Sequence, residues 1–291
     1  MNPSSQPKVS VITINLNNKN GLRKTIESVV SQTQKDFEYI VIDGASTDGS
    51  VDVINEYQTK IHYRISEKDA GIYNAMNKGI QAAKGDYVLF LNSGDWLVDK
   101  DVLEKTIQLI NPNAAVCAAD IYYDNGNSLV LRSNPLNFSC INHLLIGGLF
   151  HQSTFIKRKM FEKYGLYNET KRIAADWEFF TLILVLNPEM YQHIPIPLAA
   201  WDSFGISNEQ TMQAILKQER EEVLNRLIPL PILNELASIQ VKLTEHNTLK
   251  EKLNGRRYRL LEQIEKSKLM GRIITIPMMI CSKLANLIAR L

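Results

Sequence analysis

Through residues 8–100 the apolar positions come as short unbroken runs, separated by stretches where they recur at helical spacing. Val9-Ser-Val-Ile-Thr-Ile-Asn15 is a β-branched run that predicts a buried strand, and Leu22, Ile26, Val29 and Val30 predict a helix between Asn20 and Gln34. Phe37–Asp43 predicts a second strand. The Gly/Ser/Thr/Asp-rich stretch Gly44–Ser50 predicts a turn that opens a helix through Val51, Ile54 and Tyr57. A strand over Ile61–Ile65, a helix over Gly71–Ala83 and a strand over Asp86–Asn92 complete the alternation. Such an α/β pattern implies a Rossmann-like, mostly parallel sheet flanked by helices, with right-handed crossovers. Ligands of such sheets collect beyond the carboxyl ends of the strands. That rule nominates Asn15–Asn17, Asp43, Glu67–Asp69 and Asn92–Asp95.

The pattern then loosens. Ala114–Asp124 and Ser128–Arg132 predict a hairpin around Asp124-Asn-Gly-Asn127. Ala174–Leu186 predicts a buried helix whose first turn carries Asp176 and Glu178. Pro195 and Pro197 are expected to break the chain, and Gln210–Leu227 is helical again. Beyond Pro229 and Pro231, the residues Leu236, Ile239, Leu243, Leu253, Leu260 and Ile264 fit an a/d heptad frame interrupted by His246, Lys250, Arg257 and Ser267, which predicts a helical hairpin or coiled coil. Ile273–Leu291 is apolar but is broken by Pro277 and carries Lys283 and Arg290, with Arg272 just before it. It predicts an amphipathic helix lying on a membrane rather than a span. The expected organisation is one α/β half over 1–100, a second half over 101–210 and a helical extension over 211–291.

Composition narrows the classes. With 45% hydrophobic and 22% charged residues among 291, the chain is globular, and its net charge of +2 gives no reason to expect a nucleic-acid partner. The charge is uneven, however: Glu251–Leu291 holds nine Lys/Arg against three Asp/Glu, a basic tail suited to an anionic surface. Cys117, Cys140 and Cys281 are too scattered for a disulfide or zinc framework. Met1–Lys8 is polar and the apolar run Val9–Ile14 is far shorter than the roughly 20 residues that span a bilayer. The expected location is cytoplasmic, with peripheral contact to the cytoplasmic face of the membrane through the tail.

The strand ends carry candidate chemistry. In Leu91-Asn-Ser-Gly-Asp-Trp96, Asp95 can hold one divalent cation with Asn92 as a neutral neighbour, since Mg²⁺ uses one or two carboxylates and takes its other ligands from phosphates and water. The alternative is a turn whose polar residues cap the next element. Asp43 can accept from a nucleobase ring N–H, or simply close an Asx turn. Asp69-Ala-Gly71 leads into a helix N-terminus, which favours an anionic ligand. Lys78 lies two turns up that helix, where it either serves the site or is surface.

Taken together, Val-Ser-Val-Ile-Thr-Ile-Asn15, Val-Ile-Asp-Gly-Ala-Ser-Thr-Asp-Gly-Ser50, Ser66-Glu-Lys-Asp-Ala-Gly-Ile-Tyr-Asn-Ala-Met-Asn-Lys-Gly79 and Ala-Lys-Gly-Asp-Tyr-Val-Leu-Phe-Leu-Asn-Ser-Gly-Asp95 resemble the opening of family 2 glycosyltransferases, of the bacterial surface-polysaccharide type. The likeness runs over about 8–100, continues more thinly to about 207 and stops there. It implies a GT-A fold and inverting transfer of a hexose from a nucleotide-sugar, UDP-linked, to a glycan or lipid-linked glycan. Thr13 and Asp43 match positions that hold base and ribose, and Asp69 matches an acidic residue near the nucleotide. Asn15, Asn77, Lys78 and Asn92 complete the expected nucleotide-binding set. Asp95 matches the last Asp of an Asp-any-Asp motif that holds Mg²⁺ or Mn²⁺, although Asn92 and Gly94 stand where the family often has carboxylates. Asp176, in Ala174-Ala-Asp-Trp-Glu-Phe179, matches the general base, with Ala175 replacing a frequent Glu. His151, Trp177, Glu178 and Trp201 are the expected contacts to acceptor or donor sugar. The C-terminal helices are expected to bind membrane or a second copy of the chain. The competing reading is a catalytically silent sugar-nucleotide-binding or scaffold protein. A nucleotidyltransferase or dinucleotide dehydrogenase would need a Gly-rich loop after the first strand, and Asn15-Leu-Asn-Asn-Lys19 has none.

Overall fold

The structure, a computed structural model, describes residues 7–145, 147–202, 210–239 and 241. Packing divides the chain into two compact units, Met1–Leu227 and Ile228–Leu291. In the first, β1 (Val9–Asn15), α1 (Lys19–Val30), β2 (Phe37–Asp43), α2 (Ser50–Glu56), β3 (Tyr63–Ser66), α3 (Ile72–Ala82) and β4 (Tyr87–Phe90) alternate as the apolar pattern predicts. β1 pairs in parallel with β2 from Val9↔Phe37 to Asn15↔Asp43 and with β4 on its other side, while β2 pairs in parallel with β3.

Every residue of β1 is buried because helices cover both faces of the sheet. Side chains alternate across the strand. Val9 and Val11 pack in one cluster with Leu22, Ile26 and Val29 of α1, and Ile12 and Ile14 pack in another with Met76 and Ile80 of α3. Burying each such side chain contributes about 1.5–3 kcal/mol. A Cβ on Gly79 would stand 2.5 Å from Ile12 Cγ2, so α3 rests on β1 more closely than an alanine allows.

The second half follows a different plan. It comprises β5 (Trp96–Leu97), α4 (Val102–Leu109), β6 (Val116–Asp124), β7 (Leu129–Arg132), α5 (Cys140–Leu145), a 3₁₀ turn at His151–Ser153, β8 (Thr154–Lys157), α6 (Lys159–Tyr164), α7 (Ala175–Phe180), β9 (Tyr191–Asp202) and α8 (Gln210–Leu227). The sheet order is β3-β2-β1-β4-β8-β6-β9-β5, with β7 paired to β6 as the expected hairpin. β8 runs antiparallel to both β4 and β6, which carries the sheet out of its parallel half. The expected helix over 174–186 is α7 continued by a π-helical stretch, Thr181–Leu186.

Pro195 and Pro197 do not break the chain, contrary to expectation. β9 passes through them with register shifts opposite Ala119–Ile121, and β5 pairs only with Ala199 and Ala200. The prolines therefore occupy an irregular stretch with β6 alone alongside, where their missing N–H groups cost no ladder bond.

In the second unit residues 230–239 are helical. The heptad positions from Leu243 onward and the amphipathic segment Ile273–Leu291 lie outside the described residues, and with them the expected membrane contact and self-association. Among the described residues no helix is long and apolar enough to cross a membrane.

Candidate active site

The carboxyl ends of β1 and β4 meet the start of α3, the 3₁₀ turn, α7 and α8 around a cleft of about 750 Å³. Thr25 of α1 builds one corner of it. Its buried hydroxyl donates to the Asp95 carbonyl at 2.6 Å and accepts from the Gly94 N–H at 3.0 Å, clamping the turn after β4. Gly94 has φ 110°, which a carboxylate-bearing residue adopts only with strain, so the turn offers Asp95 and not a neighbouring acid at that position. Asn18 caps α1 by accepting from the Gly21 N–H and also donates to the Ser93 carbonyl at 3.0 Å. Asn92, Asp95 and His151 all line the cleft.

The opposite wall is built around Asp176. Its Oδ2 lies 3.2 Å from His151 Nδ1, and its Oδ1 accepts from the Tyr73 hydroxyl at 2.9 Å. Burial pushes the Asp176 carboxyl up, but the His151 hydrogen bond and charge, the Tyr73 hydroxyl and the Trp177 N–H outweigh it and hold it below its ordinary value. Burial likewise pushes the His151 imidazole down, and Asp176, with the more distant charge of Asp95, raises it above its ordinary value. Tyr73, raised by burial and by the Asp176 charge, stays a hydrogen-bond donor.

Glu219 of α8 sets the backbone that carries Asp176. Its carboxylate accepts from the N–H groups of Arg172 (2.6 Å), Ile173 (3.0 Å) and Ala174 (3.0 Å), the orphan donors ahead of α7. Arg220, the next residue, lays its guanidinium 5.1 Å from the centre of the Trp177 ring. Trp177 is fixed from behind as well, stacking on His143 and donating its Nε1–H to the His143 carbonyl at 3.1 Å. α8 thus helps to build the cleft: Tyr73, Arg172 and Arg220 line it and Glu219 supports it, and none of the four is among the residues expected from the sequence. Tyr73 lies in the motif Ser66–Gly79, at a helix start. Glu219 and Arg220 carried no signal, because their partners are more than forty residues away.

Other expected residues are placed unevenly. Asn15, Asp69, Asn92, Asp95, His151, Asp176, Trp177 and Trp201 line the cleft. Thr13 does not: it is fully buried with its hydroxyl 3.1 Å from that of Tyr39. Asp43 is also fully buried. Its Oδ1 accepts from Asn15 Nδ2 (2.8 Å) and Ser46 Oγ (2.6 Å), and its Oδ2 from the Ser46 N–H (3.0 Å) and Ser66 Oγ (2.6 Å). Four protein donors fill its lone pairs, so its work here is to hold the loop after β2. Asn77 clasps Tyr167 and Glu169, away from the cleft. Glu178 takes Arg226 and Asn168 as partners. Lys78 ion-pairs with Glu67 and Asp69, both at 2.7 Å, and does not line the cleft itself.

Two buried acceptors in the cleft wall have no protein partner: Asn15 Oδ1 and Asn92 Oδ1. Asn92 Nδ2 lies 3.3 Å from His151 Nε2, and Asn92 Oδ1 is left without a protein partner. An amide oxygen and the Asp95 carboxylate form a hard-oxygen donor pair that fits Mg²⁺ or Mn²⁺ completed by phosphate oxygens and water. Among the described residues no group of three or more His, Cys, Asp or Glu is placed to hold a metal without such help.

Residues 10–178 match the family model described as Glycosyl transferase family 2. A PGL/p-HBAD biosynthesis glycosyltransferase of Mycobacterium bovis (strain BCG / Pasteur 1173P2) is 30% identical over 223 residues, 73% of this chain and 84% of that protein. In fold, the chain is similar to S. aureus TarS 1–349 in complex with UDP-GlcNAc, with a TM-score of 0.60 at 18% identity, covering 80% of this chain and 71% of that one. It is similar also to the mannosyltransferase PcManGT from Pyrobaculum calidifontis in complex with GDP-Man and Mn²⁺, with a TM-score of 0.61 at 15% identity, covering 94% and 85%. The expected GT-A architecture holds.

Proposed function

Because the chain belongs to glycosyl transferase family 2, we propose that it transfers a hexose from a UDP-sugar, with inversion, to a hydroxyl of a glycan or lipid-linked glycan in bacterial surface-polysaccharide synthesis. The observation that carries this reading is the meeting of Asp95, His151 and Asp176 in one cleft, a diphosphate-side carboxylate facing a proton acceptor. The acceptor oxygen attacks the anomeric carbon opposite the diphosphate and its proton passes to Asp176. The bond from carbon to the phosphate oxygen breaks with its electron pair on the departing diphosphate.

Held below its ordinary value, Asp176 is a weak base, so orientation of the hydroxyl is the larger part of its work. His151 and Tyr73 fix its two oxygens. Mg²⁺ or Mn²⁺, held by Asp95 and Asn92 Oδ1, would neutralise charge on the diphosphate, and the Mn²⁺ complex of the mannosyltransferase supports that assignment. Asn15 Oδ1 is the acceptor we assign to a ring N–H of the base, with Asp43 behind it, and the UDP-GlcNAc complex of TarS supports uracil. Trp201, in the cleft lining, is the ring we assign to a sugar face, since the Trp177 ring is buried against His143 and Arg220. The basic tail is assigned peripheral contact with the cytoplasmic face of the membrane, as suits a lipid-linked acceptor.

Asp176→Asn keeps the size and the Tyr73 contact but removes the proton acceptor. Turnover at saturating donor should fall by about 10²–10⁴ with UDP affinity intact. Turnover equal to wild type would refute the assignment.

A further inference from the structure

Deepening the glycosyltransferase reading, on which it rests, we propose that Arg220 and Arg172 form an oxyanion subsite on the acceptor side of the cleft, so that the acceptor carries a carboxylate or a phosphate beside the hydroxyl that receives the sugar. Both arginines line the cleft. Neither guanidinium has a carboxylate within ion-pair distance among the described residues, and the half-buried Arg220 keeps a buried Nε–H without an acceptor. Burial pushes the Arg220 guanidinium down, and the charge of Asp176, itself paired with His151, offsets only part of that.

The nearby acids are already engaged. Glu219 is taken up by the three N–H groups ahead of α7, Glu178 by Arg226, and Asp176 by His151 and Tyr73. On the donor side, Lys78 is spent on Glu67 and Asp69. A chain of contacts separates Arg220 from the turn that carries Asp95: Asn92 to His151 at 3.3 Å, His151 to Asp176 at 3.2 Å, then the adjoining Trp177 ring, on whose face Arg220 lies. The subsite therefore falls beyond the proton acceptor as seen from the diphosphate, where part of the acceptor must lie. A planar guanidinium with its fork free suits bidentate binding of a carboxylate or phosphate.

The test is calorimetry on the full chain with UDP and Mn²⁺ saturating. The titrants are methyl β-glucuronide, glycerol 1-phosphate and the uncharged methyl β-glucoside. Wild type should bind at least one anion about tenfold more tightly than the glucoside, and the preferred anion identifies the source as a uronate or a phosphate ester. Arg220→Met, which keeps the apolar stem over Trp177, should weaken that binding about tenfold. Arg220→Lys should restore part of it, and Arg172→Met, at an exposed position that folding does not need, should weaken it less. Anions binding no better than the glucoside, or binding the Met variants as well as wild type, would overturn the proposal. So would a loss of UDP affinity in Arg220→Met with anion binding unchanged, which assigns Arg220 to the donor diphosphate. UDP affinity in wild type reads the glycosyltransferase assignment separately, and the anion titration is read the same way with UDP omitted.

Discussion

In the first half, over β1–β4, polar groups at the strand ends bind one another across short loops, as Asp43 does with Asn15, Ser46 and Ser66. In the second half, Asp176 is set by Tyr73 from α3, His151 from a 3₁₀ turn and, through the backbone, Glu219 from α8. The first region is a parallel sheet with a helix packed on each face, and its register alone puts Asn15 beside Asp43. The second depends on side-chain pairs between distant segments. Rigid backbone supplies the side of the cleft we propose for the donor, and tertiary contacts assemble the carboxylate we propose as proton acceptor.

Acid should separate the two regions most strongly. Burial pushes His143, which lies beneath Trp177, down to about 4 from 6.5. The folded state stays neutral while the unfolded chain takes up the proton, so its stabilising contribution is complete above 6.5 and is lost as pH falls toward 4. The loss is on the order of 3 kcal/mol. His151 is raised, and its contribution is present below 6.5 and lost only as pH rises through its folded value. Asp43 is lowered from 3.8 by its hydroxyl and amide donors against burial, so its contribution weakens only below 3.8. Hydrogen-exchange protection, taken relative to the intrinsic exchange rate at each pH, should therefore fall in α7 between pH 7 and 4.5 while β1 and β2 keep theirs. An equal loss of protection in both would break the contrast.

Glu219→Gln should come next in size. It leaves one oxygen to accept where the carboxylate has two, in a cap that spans about forty-five residues. Stability should fall by about 1–2 kcal/mol, and kcat should fall about tenfold through misplacement of Asp176, with donor KM little changed. A stability loss with unaltered kcat would show that α8 supports the fold without positioning the base. Thr13→Val should have the smallest effect. It exchanges a buried hydroxyl that faces Tyr39, not the cleft, so UDP affinity should stay within about twofold and stability should drop by about 1 kcal/mol. A large loss of affinity would return Thr13 to the donor site.

The same contrast explains what could be read in the sequence. Parallel strands buried on both faces appear as unbroken β-branched runs, and β1 to β4 follow in the predicted order. Motif identity placed Asp95 and Asp176 in the cleft, and His151 with them. Thr13, Asp43 and Asn77 lie outside the cleft lining, and the sequence does not show this because a polar residue at a strand end or on a helix reads alike whether it meets a ligand or a neighbouring loop. β8, paired with two antiparallel strands, and α8, joined to α7 by Glu219, depend on contacts between segments with no local periodicity to announce them. Pro195 and Pro197 look like breakers until β9 is seen to have a single neighbour beside them.

On the function proposed above, the cleft holds a uridine diphosphate group through a divalent cation on Asp95. Calorimetric titration of UDP into wild type and Asp95→Ala, with and without Mn²⁺, reads that contact alone. Binding to wild type should be micromolar, should require Mn²⁺ and should be lost in Asp95→Ala. Absence of UDP binding under either condition, or equal Mn²⁺-dependent binding by both proteins, would refute it.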